Sequence, residues 1–169
     1  MKQKDLNELL EKNFANVNSW LNFAEAKNAV NLALVIASVA AILSMDARNI
    51  LLNVICILFC ISAICSIWSF FPKLGEKLQC FFKEQAIQDA DNLLFFEDIK
   101  KYTEDEYVKK VNKNYFNKES ESVGKYQLDI ANEIVYNAKV ASYKYKMFKV
   151  AVCIDVVAFI MFILNFIIA

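Results

Sequence analysis

Residues 50–71 read ILLNVICILFCISAICSIWSFF, a run without a single charge. At a helical rise of about 1.5 Å per residue it reaches roughly 33 Å, enough to cross a hydrocarbon core of about 30 Å. Outward from it, Ala29–Met45 (AVNLALVIASVAAILSM) is equally uncharged, and Val150–Ala169 (VAVCIDVVAFIMFILNFIIA) carries Asp155 as its one charge. These two runs reach roughly 26 and 30 Å as helices. In lipid, every backbone N–H and C=O must be satisfied within its own segment, so such runs are helices rather than strands. The expected fold is an all-α membrane protein with three transmembrane helices and a helical cytoplasmic region between the second and third. Four parts follow: an N-terminal amphipathic cytoplasmic helix over 1–28, a transmembrane hairpin over 29–71, the cytoplasmic region over 72–149 and the third span over 150–169.

The 169 residues are 57% apolar yet 22% charged, and outside Asp46, Arg48 and Asp155 the charge lies at the N-terminus or between Pro72 and Lys149. Net charge is zero, which argues against a nucleic-acid polymer as partner. Only two Gly and one Pro supply turn material, in keeping with an all-helical chain. The N-terminal stretch is not read as a cleavable signal peptide, because its apolar residues Leu6, Leu9, Leu10, Phe14, Val17, Trp20 and Leu21 form a helical stripe. Of five cysteines, Cys56, Cys60, Cys65 and Cys153 lie in the spans and Cys80 stands alone. With no histidine, they are expected to act as small hydrophobes, with no metal site and no disulfide framework.

Lysine and arginine set the expected orientation. Four precede the first span, Arg48 stands in the hairpin loop, fourteen lie from Lys73 to Lys149 and none follows. The N-terminus and central region are therefore expected in the cytoplasm, and the C-terminus on the far side. Trp68, Phe70 and Phe71, with Tyr143, Tyr145 and Phe148, occupy aromatic-belt positions at the inner interface.

Lys4–Glu25 reads as an amphipathic helix running into span one, its apolar face packing on the central segment or lying on the membrane. Pro72 is expected to end or kink span two. Lys73–Asn92 reads as a juxtamembrane helix, and Leu93–Ile99 (LLFFEDI) as a short apolar-acidic piece. Thr103-Glu104-Asp105-Glu106 has the form of a capping box starting a helix to about Tyr115. After a polar connector over Asn117–Ser122, a helix from Val123 is expected to run unbroken into span three.

Asp155 is the most costly residue to insert: a charged carboxylate at mid-span costs about 2.5–3.5 kcal/mol, and less near an interface. Asn31, Ser66 and Asp155 are at a depth where they can form one polar layer, and Asn53 with Asn165 a second. Two uses stay open. They can hydrogen-bond between helices as glue, at about 0.6 kcal/mol per contact. They can also line an opening or gate in a homo-oligomer, since three spans with so few polar positions do not enclose a permanent channel alone.

No catalytic constellation is present: there is no His for a triad and no Gly-rich phosphate loop, so the chain is not expected to be an enzyme. The cytoplasmic side instead interleaves aromatic residues and lysines, among them Phe95, Phe96, Lys100, Lys101, Tyr107 and Lys144. Aromatic faces stack on nucleobases and lysines neutralise phosphate, although aromatic residues at helical spacing also serve as core.

Several motifs in order resemble the membrane-effector family of Pycsar, a bacterial anti-phage system. They are Trp20 with Ala24-Glu25-Ala26-Lys27, Ser69-Phe70-Phe71-Pro72, Phe95-Phe96-Glu97-Asp98-Ile99, Glu106-Tyr107-Val108, and Glu133-Ile134 through Val140 to Lys144-Tyr145. The chain departs from the family pattern at Glu97, where Gly is common, and at Glu25, where Asp is common. The resemblance implies a cyclic-nucleotide-activated effector of abortive infection at the bacterial inner membrane. Its activating ligand would be a cyclic pyrimidine mononucleotide (cCMP or cUMP), its target the lipid bilayer, with no cofactor beyond that ligand. Lys27, Phe95, Phe96 and Lys144 are the candidates for ligand binding or coupling, and Asn31, Ser66, Asp155, Asn53 and Asn165 for the membrane step. The alternatives are a membrane-anchored interaction or scaffold protein, and an effector gated by a cyclic oligonucleotide.

Overall fold

The computed structural model describes residues 2–46, 49–71, 86–117 and 123–168. Among them are five helices: α1 (Lys2–Leu43), α2 (Ile50–Phe70), α3 (Phe96–Ile99), α4 (Glu104–Phe116) and α5 (Lys125–Ile168). No described residue is in a strand. α1, α2 and α5 are long and apolar enough to cross a membrane. The chain divides into two units, Met1–Phe23 with Lys73–Tyr143, and Ala24–Pro72 with Lys144–Ala169, so α1 and α5 each contribute to both.

The first unit buries the N-terminal stripe of α1. Leu6, Leu10, Asn13 and Val17 are buried at helical spacing, so the amphipathic face is spent on protein packing. Its core is completed by Leu93, Ile99, Tyr107, Val108 and Val111 and by Ala131, Ile134 and Ala138 of α5. Tyr107 pins three segments: its hydroxyl accepts from Asn13 Nδ2 at 2.9 Å and donates to the Leu93 carbonyl at 3.0 Å. Burial pushes this phenol well above its ordinary pKa. Further from the core, Asn137 donates to Asn18 at 2.8 Å and Gln127 to Asn7 at 2.9 Å, both along the α1–α5 contact.

α4 begins as its sequence requires. The Thr103 hydroxyl accepts from the Glu106 amide while the Glu106 carboxylate accepts from the Thr103 amide. It ends at Asn117, whose left-handed φ of 53° suits asparagine. The rest of the connector, 118–122, lies outside the described residues.

The expected juxtamembrane helix needs correction at its end. Residues 73–85 lie outside the described residues, but 86–92 are irregular rather than helical. Side-chain oxygens compete there with the helix ladder: Asp91 accepts from the Gln88 amide at 3.0 Å and Asn92 from the Leu94 amide at 3.0 Å. Pro72 also lies outside the described residues; Phe71 before it is extended at ψ 127°, the conformation a following proline imposes.

In the second unit the spans bury a seam. On α2 the buried residues are Leu52, Ile55, Phe59, Ser62, Ser66 and Ser69, alternating three and four apart. α1 repeats this with Ala24, Asn28, Asn31, Val35 and Ile42, and α5 with Ala151, Asp155, Ala158 and Asn165. A mean repeat of 3.5 residues is the spacing of helices packed nearly parallel, the usual geometry of membrane bundles. One stretch of the seam is apolar: Val35, Ile42, Leu52, Ile55, Phe59 and Ala158 form a cluster, with Phe59 and Phe159 edge to face at 5.0 Å. The remaining seam positions are polar or small.

Candidate functional site

Most of the polar seam positions gather on one side of the apolar cluster, from Ala24 to Asn31 on α1, Ser62 to Ser69 on α2 and Lys144 to Asp155 on α5. Asn28, fully buried, donates to the Ala24 carbonyl at 2.9 Å and to the Lys144 carbonyl at 3.2 Å, tying α1 to α5. One turn further along α1, Asn31 Nδ2 donates to Ser62 Oγ at 3.3 Å and Ser66 Oγ at 3.2 Å. Ser62 Oγ in turn donates to the Ala151 carbonyl at 3.3 Å, so a single serine links α1 through α2 to α5. Asn31 and Ser66 thus do meet. Small hydroxyl side chains permit this because they let helices approach closely while offering both donor and acceptor.

Asp155 lies in this seam without joining its hydrogen bonds. It is 4% exposed, its neighbours Val156 and Val157 are each 51% exposed, and neither carboxylate oxygen has a partner among the described residues. The Ala151 carbonyl that Ser62 reaches is also the one that Asp155's own amide bonds in an α-helix, so the Ser62 hydroxyl lies at the turn carrying Asp155. A polar residue buried in a span without a partner is costly, and such residues mark functional positions.

At one end of the seam Lys144 is buried and fully engaged. Its ammonium lies 2.9 Å from Glu25, donates to the Ser69 carbonyl at 3.0 Å and stands 5.6 Å from the Phe70 ring centroid. Lys27 stands over the rings of Tyr145 and Phe148, at 5.3 and 5.5 Å. Both cations use aromatic faces, and Lys144 also a backbone carbonyl, groups that an apolar bundle can still supply. At the other end the expected layer is corrected. Asn165 pairs with Asn49, whose Nδ2 donates to it at 2.8 Å while its Oδ1 caps α2 by accepting from the Leu52 amide. Asn53 is exposed and does not take part. Helix register explains the exchange, because Asn49 lies three residues before the buried Leu52 and continues the seam, whereas Asn53 follows Leu52 directly and is turned about 100° away from it.

Phe95 and Phe96 belong to the first unit. They pack on Trp20, with ring centroids 6.2 and 5.6 Å away, and on each other at 4.9 Å. Phe96 is buried, whereas Phe95 keeps 37% of its surface exposed. Glu97, where glycine is common in the resembled family, falls within α3 and pairs with Lys100, so no glycine-only backbone is needed at this position. Below it, Asp91 receives Lys101 at 2.7 Å and Tyr102 at 3.1 Å. Burial of Asp91 opposes ionisation, but the hydrogen bonds from Lys101, the Gln88 amide and Tyr102 outweigh it and hold the carboxyl below its ordinary pKa.

Asn28, Ser62, Ser69 and Asn49 are the site residues that inspection of the sequence did not single out. For Asn28, Ser62 and Ser69 the available signal is their spacing from Asn31 and Ser66: three and four residues, the repeat of a packed seam; Asn49 has no such spacing to either.

The Pycsar effector protein domain, as a family model, matches residues 9–169, which takes in all three spans and the helices between them. Neither a curated protein nor a solved structure matches the chain. With a match of that extent, a membrane-spanning helical unit and a helical unit inserted between its second and third spans, the chain belongs to the family of Pycsar effector proteins, the membrane effectors of an anti-phage defence system.

Proposed function

We propose that this protein is a ligand-gated effector that impairs the bacterial inner membrane when a cyclic pyrimidine mononucleotide, cCMP or cUMP, binds it. The N-terminus and the lysine-rich central helices lie in the cytoplasm and the C-terminus in the periplasm. The nucleotide binds the helices of the first unit, with Phe95 offering its exposed ring face to the base. Lys27 and Lys144 act at the coupling region, and Asn31 and Asp155 in the membrane step. Binding shifts a homo-oligomeric equilibrium toward a membrane-breaching arrangement, which requires the ligand to prefer that state. No catalysis is involved.

One observation carries this reading beyond the family match: the spans hold a buried polar seam that is incompletely satisfied. The bonds from Asn31 and Ser62 are long, at 3.2–3.3 Å, and the Asp155 carboxylate has no partner among the described residues. A scaffold that only tethers has no use for such costs in its anchor.

The test is titration of cCMP and cUMP onto liposomes that contain the purified full chain and an entrapped dye. Release that saturates with ligand is the expected result. No release at saturating concentration of either nucleotide overturns the proposal, and release by cyclic oligonucleotides alone replaces its ligand.

A further inference from the structure

We propose that the path opened through this protein admits cations in preference to anions, and that Asp155 is the residue setting that preference. The inference rests on the membrane-impairing function proposed above and adds what crosses. Within the apolar runs of the three spans Asp155 is the one ionisable residue carrying formal charge, so the fixed charge available there is negative.

Three observations place Asp155 where ions would meet it. It is 4% exposed and on the buried seam rather than the lipid side, so a path formed by separating or rotating the helices along that seam reaches its carboxylate. Neither oxygen is bonded among the described residues, so no cation of the described residues pairs with it, in contrast to Lys144, which is held by Glu25 and the Ser69 carbonyl. The adjacent seam groups add oxygens of the same kind: the Ser62 hydroxyl and the Ala151 carbonyl meet at its turn, and Ser66 lies one turn from Ser62 on α2. Carboxylate, hydroxyl and carbonyl oxygens are the ligands that replace water around a small monovalent cation, and acidic groups lining a pore select cations.

In the closed bundle the carboxyl group is shut away from water. On opening, the carboxylate is hydrated and stands as a fixed negative charge between low-dielectric walls, where field focusing enriches counter-ions by tenfold or more. Several copies around one path bring several carboxylates to it.

The experiment uses the full chain in planar bilayers under a potassium chloride gradient, with cCMP or cUMP as the activating probe and reversal potential as the readout. The wild-type protein should pass potassium over chloride by about tenfold, the lower end of the enrichment expected from a one-signed cleft. Asp155→Asn should bring that ratio toward unity in the ligand-triggered current it carries, whatever the size of that current, and Asp155→Glu should retain the wild-type ratio. Wild-type current with equal potassium and chloride permeability overturns the inference and leaves the membrane function standing. Unchanged selectivity in Asp155→Asn overturns the assignment to this residue. No current from wild type with either nucleotide removes the function and the inference together.

Discussion

The Lys144 ammonium and the Glu25 carboxylate stand 2.9 Å apart, on α5 and α1, where both helices enter the membrane-spanning unit. The pair is asymmetric: 9% of the lysine side chain is exposed against 46% of the glutamate. Glu25 can be hydrated when its partner is lost, and Lys144 cannot.

Neutralising the glutamate should therefore cost more than removing the lysine. In Glu25→Gln the buried ammonium loses its counter-charge and keeps only neutral partners among the described residues, such as the Ser69 carbonyl and the Phe70 ring, whereas Lys144→Met places an unbranched apolar chain in an apolar site. The expected difference is about 1–2 kcal/mol, reduced from the fully buried case because water screens Glu25. Thermal unfolding of the purified protein in detergent measures it; equal or reversed losses would refute the argument.

Tyr107→Phe removes the hydroxyl that joins Asn13 to the Leu93 carbonyl. Two buried groups then lack a partner, at a cost of about 1–3 kcal/mol. The expected signature is lower thermal stability together with faster hydrogen exchange in both α1 before Phe23 and the segment around Leu93. A change confined to α4 would show that the hydroxyl does not tie these segments.

Acid should loosen the first unit through Asp91. Its carboxyl is held below the ordinary value, so the stability it contributes is fully present above the unfolded-state value of about 3.9 and is lost as pH falls through the lower folded-state value. Wild-type stability should decline below about pH 4, and Asp91→Asn should decline less steeply there while being less stable at neutral pH. Parallel acid limbs for the two proteins would exclude Asp91 as a contributor.

Phe95→Ala separates ligand contact from folding. The ring is 37% exposed, so its removal should cost little stability, while Phe96→Ala, whose ring is 5% exposed, should cost about 3 kcal/mol or more. If Phe95 stacks on the base, its loss should weaken nucleotide binding by about 1–3 kcal/mol, read by calorimetry. Unchanged affinity would move the ligand elsewhere.

Much of the architecture was legible in the residues because its causes are local. An uncharged run long enough to cross lipid must satisfy its own backbone, which makes it a helix whatever its neighbours are. The Thr103–Glu106 cap is a contact between residues three apart, and it formed as the spacing required. The stripe from Leu6 to Val17 likewise announced a buried face, although the partner covering it had to be seen.

The pairing of polar residues inside the spans was a different matter. Asn31 with Ser66 could be guessed from depth, but the same argument set Asn53 beside Asn165, and the structure pairs Asn165 with Asn49. In a run where nearly every residue is apolar, hydropathy has no period and so does not mark which side of the helix turns inward. That choice is made by side chains of different helices fitting one another at a repeat of three and four. Composition alone placed the chain in a membrane; helix-to-helix packing decided that Asp155 faces the seam, and that Asn53 does not.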